Sequence, residues 1–157
     1  MDPIAELLDL PKIYGTPKKK LAWAVVRTEL ERAKHYWLTT VRSDGRPHAV
    51  PLDGVWLDDV WYYGGSEESV HRRTALAHPP VVMHLPDPIK AVIVEGSVRR
   101  TRPGVDLAQR LADTSNEKYG YGNTAGSYAE TLALHPSRVI AWMSYLTDAT
   151  RFRFPAG

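Results

Sequence analysis

The chain has 157 residues, 43% of them apolar and 24% charged, which suits one domain burying roughly 70% of its unfolded surface and leaves no room for a second. It has no cysteine, so disulfides, thiolate nucleophiles, iron–sulfur clusters and cysteine-based zinc sites are excluded together. Twenty basic residues against 18 acidic give a net charge of +2, a near balance that carries no nucleic-acid footprint, and no apolar run is long enough to cross a bilayer.

The N-terminal residues Met1 to Glu6 include acids where a secretory signal would carry positive charge, so a cytoplasmic protein is expected. Thr16-Pro17 reads as a cap and first turn, and Leu21, Ala24, Val25, Thr28 and Arg32 recur at helical spacing, predicting a helical arm of about five turns over about 17–34. From His35 the chain turns β-branched and aromatic as far as Val41, and Asp44-Gly45 supplies the tight-turn pair of a hairpin. The return arm is expected over 47–57, Asp58-Asp59 turns it, and 60–63 forms a third strand. Gly64-Gly65 breaks that strand, and Ser66 is placed to cap a helix that opens with Glu67 and Glu68 and ends before Pro79. Strands follow over 81–85 and 91–98, then a helix from Pro103 to about Tyr119, a Tyr119–Asn123 loop, and one short helix before His135-Pro136. A sixth strand over 139–145 and an extended piece over 150–154 close the chain. Six or seven short strands with two or three helices predict a mainly β, α+β domain: a small closed antiparallel barrel with flanking helices, as one unit over 1–157 with the barrel at about 35–154.

The chemical inventory is sparse. Histidines at 35, 48, 71, 78, 84 and 135 show no metal-ligand spacing, so no metal site is expected. No nucleophile elbow, phosphate loop or dinucleotide fingerprint is present, and no catalytic acid or base can be named. The segment from Gly64 to Arg73 does carry physics. Two glycines let backbone approach a ligand, and Ser66, Ser69, His71, Arg72 and Arg73 surround a helix start whose free N–H groups favour a phosphate. The same stretch also reads as an ordinary strand-to-helix turn with a solvated basic face. Trp37, Trp56, Trp61 and Trp142 fall on predicted strands, where barrel core accounts for them and a flat conjugated ligand would also use them. Lys18-Lys19-Lys20 reads as a solvated helix start.

The order of these pieces resembles the pyridoxamine 5′-phosphate oxidase-like split barrels. The resemblance rests on Leu38 to Pro51, on the Gly64-Gly65-Ser66 turn with Ser69 to Pro79, on Val92-Ile93-Val94-Glu95-Gly96, and on Ala149 to Phe154. It implies a homodimer of six-stranded antiparallel split β-barrels with two cofactor sites between subunits. In that pattern Gly64, Gly65, Ser69, Val70 and His71 hold the cofactor phosphate, to which the local reading of the helix start adds Arg72, and backbone at Val50, Pro51 and Leu52 lies against the ring system. The partner subunit contributes Lys90, Ala91, Trp142 and Arg151. His71 replaces the common phosphate lysine, and Val50 and Val55 stand where the vitamin B6 oxidases carry Arg and Lys, so typical pyridoxamine phosphate oxidation is not implied. The Glu-Gly strand and the Thr-Arg-aromatic tail resemble the actinobacterial branch that uses FMN or the deazaflavin F420. Thirteen of the 20 basic residues are Arg, the bias of a GC-rich coding sequence, and F420 is preferred over FMN on that ground and on the altered phosphate site. The resemblance thus implies an F420- or FMN-dependent oxidoreductase moving a hydride to or from a small planar substrate. The alternative is a non-catalytic flavin- or haem-binding barrel, with His48, His71 or His84 as a haem ligand. Neither nucleic acid nor membrane is expected as a partner.

Overall fold

The computed structural model describes residues 1–156. Nine strands form one antiparallel sheet: β1 (Ile4–Leu7), β2 (Tyr36–Val41), β3 (Pro47–Leu52), β4 (Val55–Leu57), β5 (Val60–Tyr63), β6 (Pro80–His84), β7 (Ala91–Thr101), β8 (Thr131–Trp142) and β9 (Thr150–Arg153). The main path runs β1-β9-β8-β7-β6-β2-β3, and β5 joins β8 as a branch that carries β4. Along one edge of β8, residues 132–134 pair with β5 and residues 138–141 pair with β9. The sheet therefore splits at β8 instead of closing, which corrects the expected closed barrel; the outer edges of β1 and β3 pair with no strand among the described residues. Helices α1 (Trp23–Arg32), α2 (Val70–Ala77) and α3 (Val105–Tyr119) pack on this sheet, with single 3-10 turns at Lys12–Tyr14 and Ala125–Tyr128.

The two predicted hairpins form for distinct reasons. In the β2–β3 turn Gly45 takes a φ of 86°, and Arg42 N–H donates to the Arg46 carbonyl at 2.9 Å. In the β4–β5 turn both central residues, Asp58 (φ 52°) and Asp59 (φ 58°), are left-handed, the geometry that matches strand twist in a two-residue hairpin. Their carboxylates then clamp two helices. Asp59 accepts from Trp23 Nε1 (3.1 Å), Arg27 Nε (2.9 Å) and Arg27 Nη2 (2.9 Å) on α1, while Asp58 accepts from Arg110 Nη1 (2.6 Å) on α3.

Four element boundaries differ from expectation. The helical arm is ten residues long, because residues 16–22 stay out of the helix, with the Lys18 and Lys19 N–H groups donating to the Thr147 carbonyl and Leu21 N–H to Thr150 Oγ1. The return arm breaks at Asp53-Gly54 into β3 and β4. α2 starts at Val70 with Ser69 as its cap residue, since Ser66 closes a tight turn instead: its carbonyl accepts from Ser69 N–H (3.0 Å) and Ser69 Oγ (2.6 Å). Strand β8 runs through His135-Pro136 and does not begin after it. A bulge at Glu95/Gly96 absorbs the proline, which has no N–H to give the ladder, and a Cβ on Gly96 would stand 2.2 Å from the His135 carbonyl oxygen. β1 was not expected at all. Inside the sheet the largest buried side chains are Trp56, Trp61, Tyr36 and Phe152, so the strand tryptophans 56 and 61 are core. Trp37 faces outward, stacked on His84.

Candidate functional site

Strand β5 ends at Tyr63, and the turn Gly64–Ser69 leads straight into α2. Gly65 takes φ 129°, and a Cβ there would lie 2.8 Å from His71 Cε1 and Nε2, so only glycine lets this backbone rest on the imidazole edge. Above Gly64 the space is open. No side chain caps the first turn of α2, whose leading N–H groups are thereby left without a side-chain acceptor. Thr74 Oγ1 pins the helix down, within hydrogen-bonding distance of Thr40 Oγ1 at 2.7 Å and donating back to the Val70 carbonyl region of its own helix.

Beneath that helix start lie four polar groups with an unpartnered atom among the described residues: His48 Nδ1, Tyr63 Oη, His71 Nδ1 and Arg72 Nε. They are neighbours. The rings of Tyr63 and His71 stand 6.0 Å apart, and the charges of His48 and Arg72 both act on His71. Burial first, then His48 and Arg72, lower the His71 pKa from its ordinary value, and burial raises that of the Tyr63 hydroxyl. Arg72 is buried, with Nη2 at 3.3 Å from Glu130, and Glu130 also takes Arg100 at 2.7 Å. The Arg100 hydrogen bond is the main cause that holds the Glu130 carboxyl below its usual range. Arg72 is therefore not on the exposed face that the sequence pattern placed it on; Arg73 is. An unpartnered buried donor set under an uncapped helix start fits a bound anionic group such as a phosphate.

The other expected site residues fall in two places. Val50 and Leu52 point half-buried into the barrel from β3, Pro51 is exposed, and the free edge of this strand leaves its backbone open to a flat ligand. Lys90, Ala91, Trp142 and Arg151 gather at the end of β8 away from Tyr63, where Ala91 pairs with Trp142 and Arg151 with Ile140. From Leu132, the partner of Tyr63, β8 runs on to Trp142, a span of roughly 30 Å at the usual strand rise. One chain does not bring this last group to the Gly64–Ser69 turn. Arg151 is moreover engaged by Glu6 of β1, with Nε at 3.1 Å and Nη2 at 2.7 Å.

A second feature, unforeseen in the sequence, adjoins the turn. A cavity of about 210 Å³ lies between the β4–β5 hairpin, the end of α3 and the loop after it, lined among others by Asp53, Gly64, Tyr62, Tyr119, Tyr121 and Tyr128. Tyr119 and Tyr121 stack with centroids 5.1 Å apart, and the Tyr121 hydroxyl donates to the Asp53 carboxylate. Behind this wall Lys118 Nζ donates to the Ala33 carbonyl (2.7 Å), Tyr36 Oη (2.8 Å) and the Gly54 carbonyl (3.2 Å), and burial lowers its pKa to about 8. The alternation Tyr119-Gly120-Tyr121-Gly122 was the one local hint of this cavity; its remaining walls come from segments far apart in sequence.

The architecture matches solved structures. An F420 reductase aligns with a TM-score of 0.56 at 23% identity, covering 72% of this chain and 94% of that one. A Listeria innocua protein assigned as a pyridoxamine 5′-phosphate oxidase aligns at 0.60 and 15%, covering 77% and 98%. The chain has the pyridoxamine 5′-phosphate oxidase-like split-barrel fold. A haem-binding protein of Mycobacterium smegmatis shares the split barrel at 0.60 and 18%, with 78% of this chain and 55% of that one covered. No protein-family model matches the sequence, and no curated protein does. No helix of the described residues is long and apolar enough to cross a membrane.

Proposed function

We propose that this split barrel binds a phosphate-bearing flavin-type cofactor, F420 in preference to FMN, and acts as an oxidoreductase on a small planar substrate. The observation that carries this reading is the set of unpartnered polar atoms on His48, Tyr63, His71 and Arg72 beneath the uncapped start of α2. Gly64, Gly65, Ser69, Val70 and His71 would hold the phosphate, with Arg72 behind them anchoring the loop through Glu130. The free edge of β3 at Val50 to Leu52 would back the ring. The bound cofactor supplies the hydride chemistry, and the protein binds it, orients it and excludes water. Lys90, Ala91, Trp142 and Arg151 reach such a site only from a second copy of the chain, so the functional unit is proposed to be a homodimer. Titration of the cofactor-free protein with F420 and FMN, followed by fluorescence quenching, tests the reading: saturable binding of either supports it, and binding of neither overturns it.

A second reading is favoured by the two unpartnered imidazole Nδ1 atoms of His48 and His71. They would suit a haem-binding barrel without turnover, since neutral imidazole is the common axial ligand. A Soret band on addition of haem, lost in His48→Ala or His71→Ala, would select this reading over the first.

A further inference from the structure

The tyrosine-lined cavity carries a ligand class of its own. Its walls include five tyrosines, at 62, 63, 119, 121 and 128, and two carboxylates, Asp53 and Glu130, while no lysine, arginine or histidine lines it among the described residues. Glu130 is spent on Arg72 and Arg100. Asp53 is less committed: it accepts from the Tyr121 hydroxyl, and the His35 imidazole stands 3.8 Å away with both side chains well exposed. Lys118 acts on Asp53 from behind Gly54, with its three donors turned to other oxygens. Aromatic faces attract cations through their quadrupole, and several rings with one carboxylate form a cage that selects positive charge over an isosteric neutral group. The volume of about 210 Å³ equals that of about seven waters, suiting a ligand of a few heavy atoms. An anionic substrate such as a phosphate ester would meet no cation on these walls. We infer that this cavity is a site for a small organic cation, a protonated or quaternary amine. Because Gly64 lines the cavity and also opens the cofactor turn, such a cation would be the amine end of the substrate, and that part of the inference rests on the function proposed above.

The test uses the cofactor-free chain, choline, and its neutral isostere 3,3-dimethylbutanol, with binding measured by calorimetry and saturation-transfer NMR. Choline is expected to bind with a Kd of about 1 mM or tighter and the isostere about tenfold more weakly. Asp53→Asn should lose about tenfold for choline and leave the isostere unchanged, while Tyr128→Leu, which keeps an apolar wall, should weaken choline severalfold. Choline and its isostere binding alike, choline not binding, or variants that melt like the parent and retain choline affinity would each overturn the cation site. Inorganic phosphate displacing choline would overturn it too. F420 and FMN titrations of the same samples report on the cofactor reading separately, so a chain that binds choline but neither cofactor keeps the cation site and loses its role as substrate pocket.

Discussion

The perturbation that most directly probes the turn is a change of charge at His71. In the cofactor-free chain its imidazole is buried, and burial, His48 and Arg72 all lower its pKa from 6.5, so it is largely neutral at pH 7. A phosphate beside it would raise that value, and binding then takes up a proton over the interval between the free and bound pKa values. Affinity should fall as pH rises through that interval, by at most about tenfold per pH unit for one proton. Because the free value lies below 6.5, the interval begins on the acid side of neutrality. His71→Lys places a group there that stays charged to higher pH, so its affinity should be flat over about pH 6 to 8 and tighter at the upper end by the ~1.5–3 kcal/mol of a charge-assisted hydrogen bond. The second ionisation of the FMN phosphate monoester near pH 6 affects both proteins equally, so the ratio of their affinities isolates the side chain. The same shift has a stability signature with a definite sign. A lowered folded-state pKa means the unfolded chain binds the extra proton, so the stabilisation is fully present above 6.5 and is lost as pH falls through the folded value. Fluorescence titrations with F420 and FMN across that range, beside urea denaturation of the free protein, provide the assay. Parallel affinity profiles for parent and variant would refute the placement of His71 at the phosphate.

Asp59→Asn keeps the left-handed turn but removes the charge that Arg27 and Trp23 address, and urea denaturation should show a loss of about 2 kcal/mol. Burial pushes the Asp59 carboxyl up, yet Arg27 and Trp23 outweigh it and hold it below its usual range, so this contribution should be present above pH 3.8 and disappear as pH falls further; a variant as stable as the parent at pH 7 would contradict the clamp. Gly96→Ala drives a methyl into the His135 carbonyl oxygen, and a drop of about 2 kcal/mol or more in stability is expected. Ser69→Ala should weaken cofactor binding and spare the fold, whereas Arg72→Ala should also lower the melting temperature because it strips a buried partner from Glu130. Light scattering should give twice 17.6 kDa; a monomer at micromolar concentration would remove the shared site.

What the sequence made legible were features whose cause is local. Asp44-Gly45 and Asp58-Asp59 make their turns through their own backbone conformations, and Pro79 ends α2 wherever the rest of the chain lies. The misses have long-range causes. Strand β1 has four residues and no telling alternation; it exists because Glu6 reaches Arg151 and Arg153 on β9, at 2.7 Å and 2.6 Å. Pro136 looked like a stop because a proline breaks a ladder, and the relief comes from Gly96 on the neighbouring strand. Arg72 looked solvated because arginine usually is, while its partner Glu130 lies 58 residues away.

The same distinction bears on the site. His71 and Gly65 lie six residues apart and were legible as one cradle because a single turn joins them. His48 and Tyr63, which complete the buried polar set, arrive on other strands. Two imidazole nitrogens, a phenol oxygen and one guanidinium nitrogen left without partners would cost a folded chain several kcal/mol if nothing ever answered them. Water can answer neutral groups. The Arg72 Nε and the uncapped N–H groups of α2 both favour negative charge, so an anion relieves more of this cost than water does. The polar set is therefore matched to an anionic group, such as the phosphate of the cofactor proposed above.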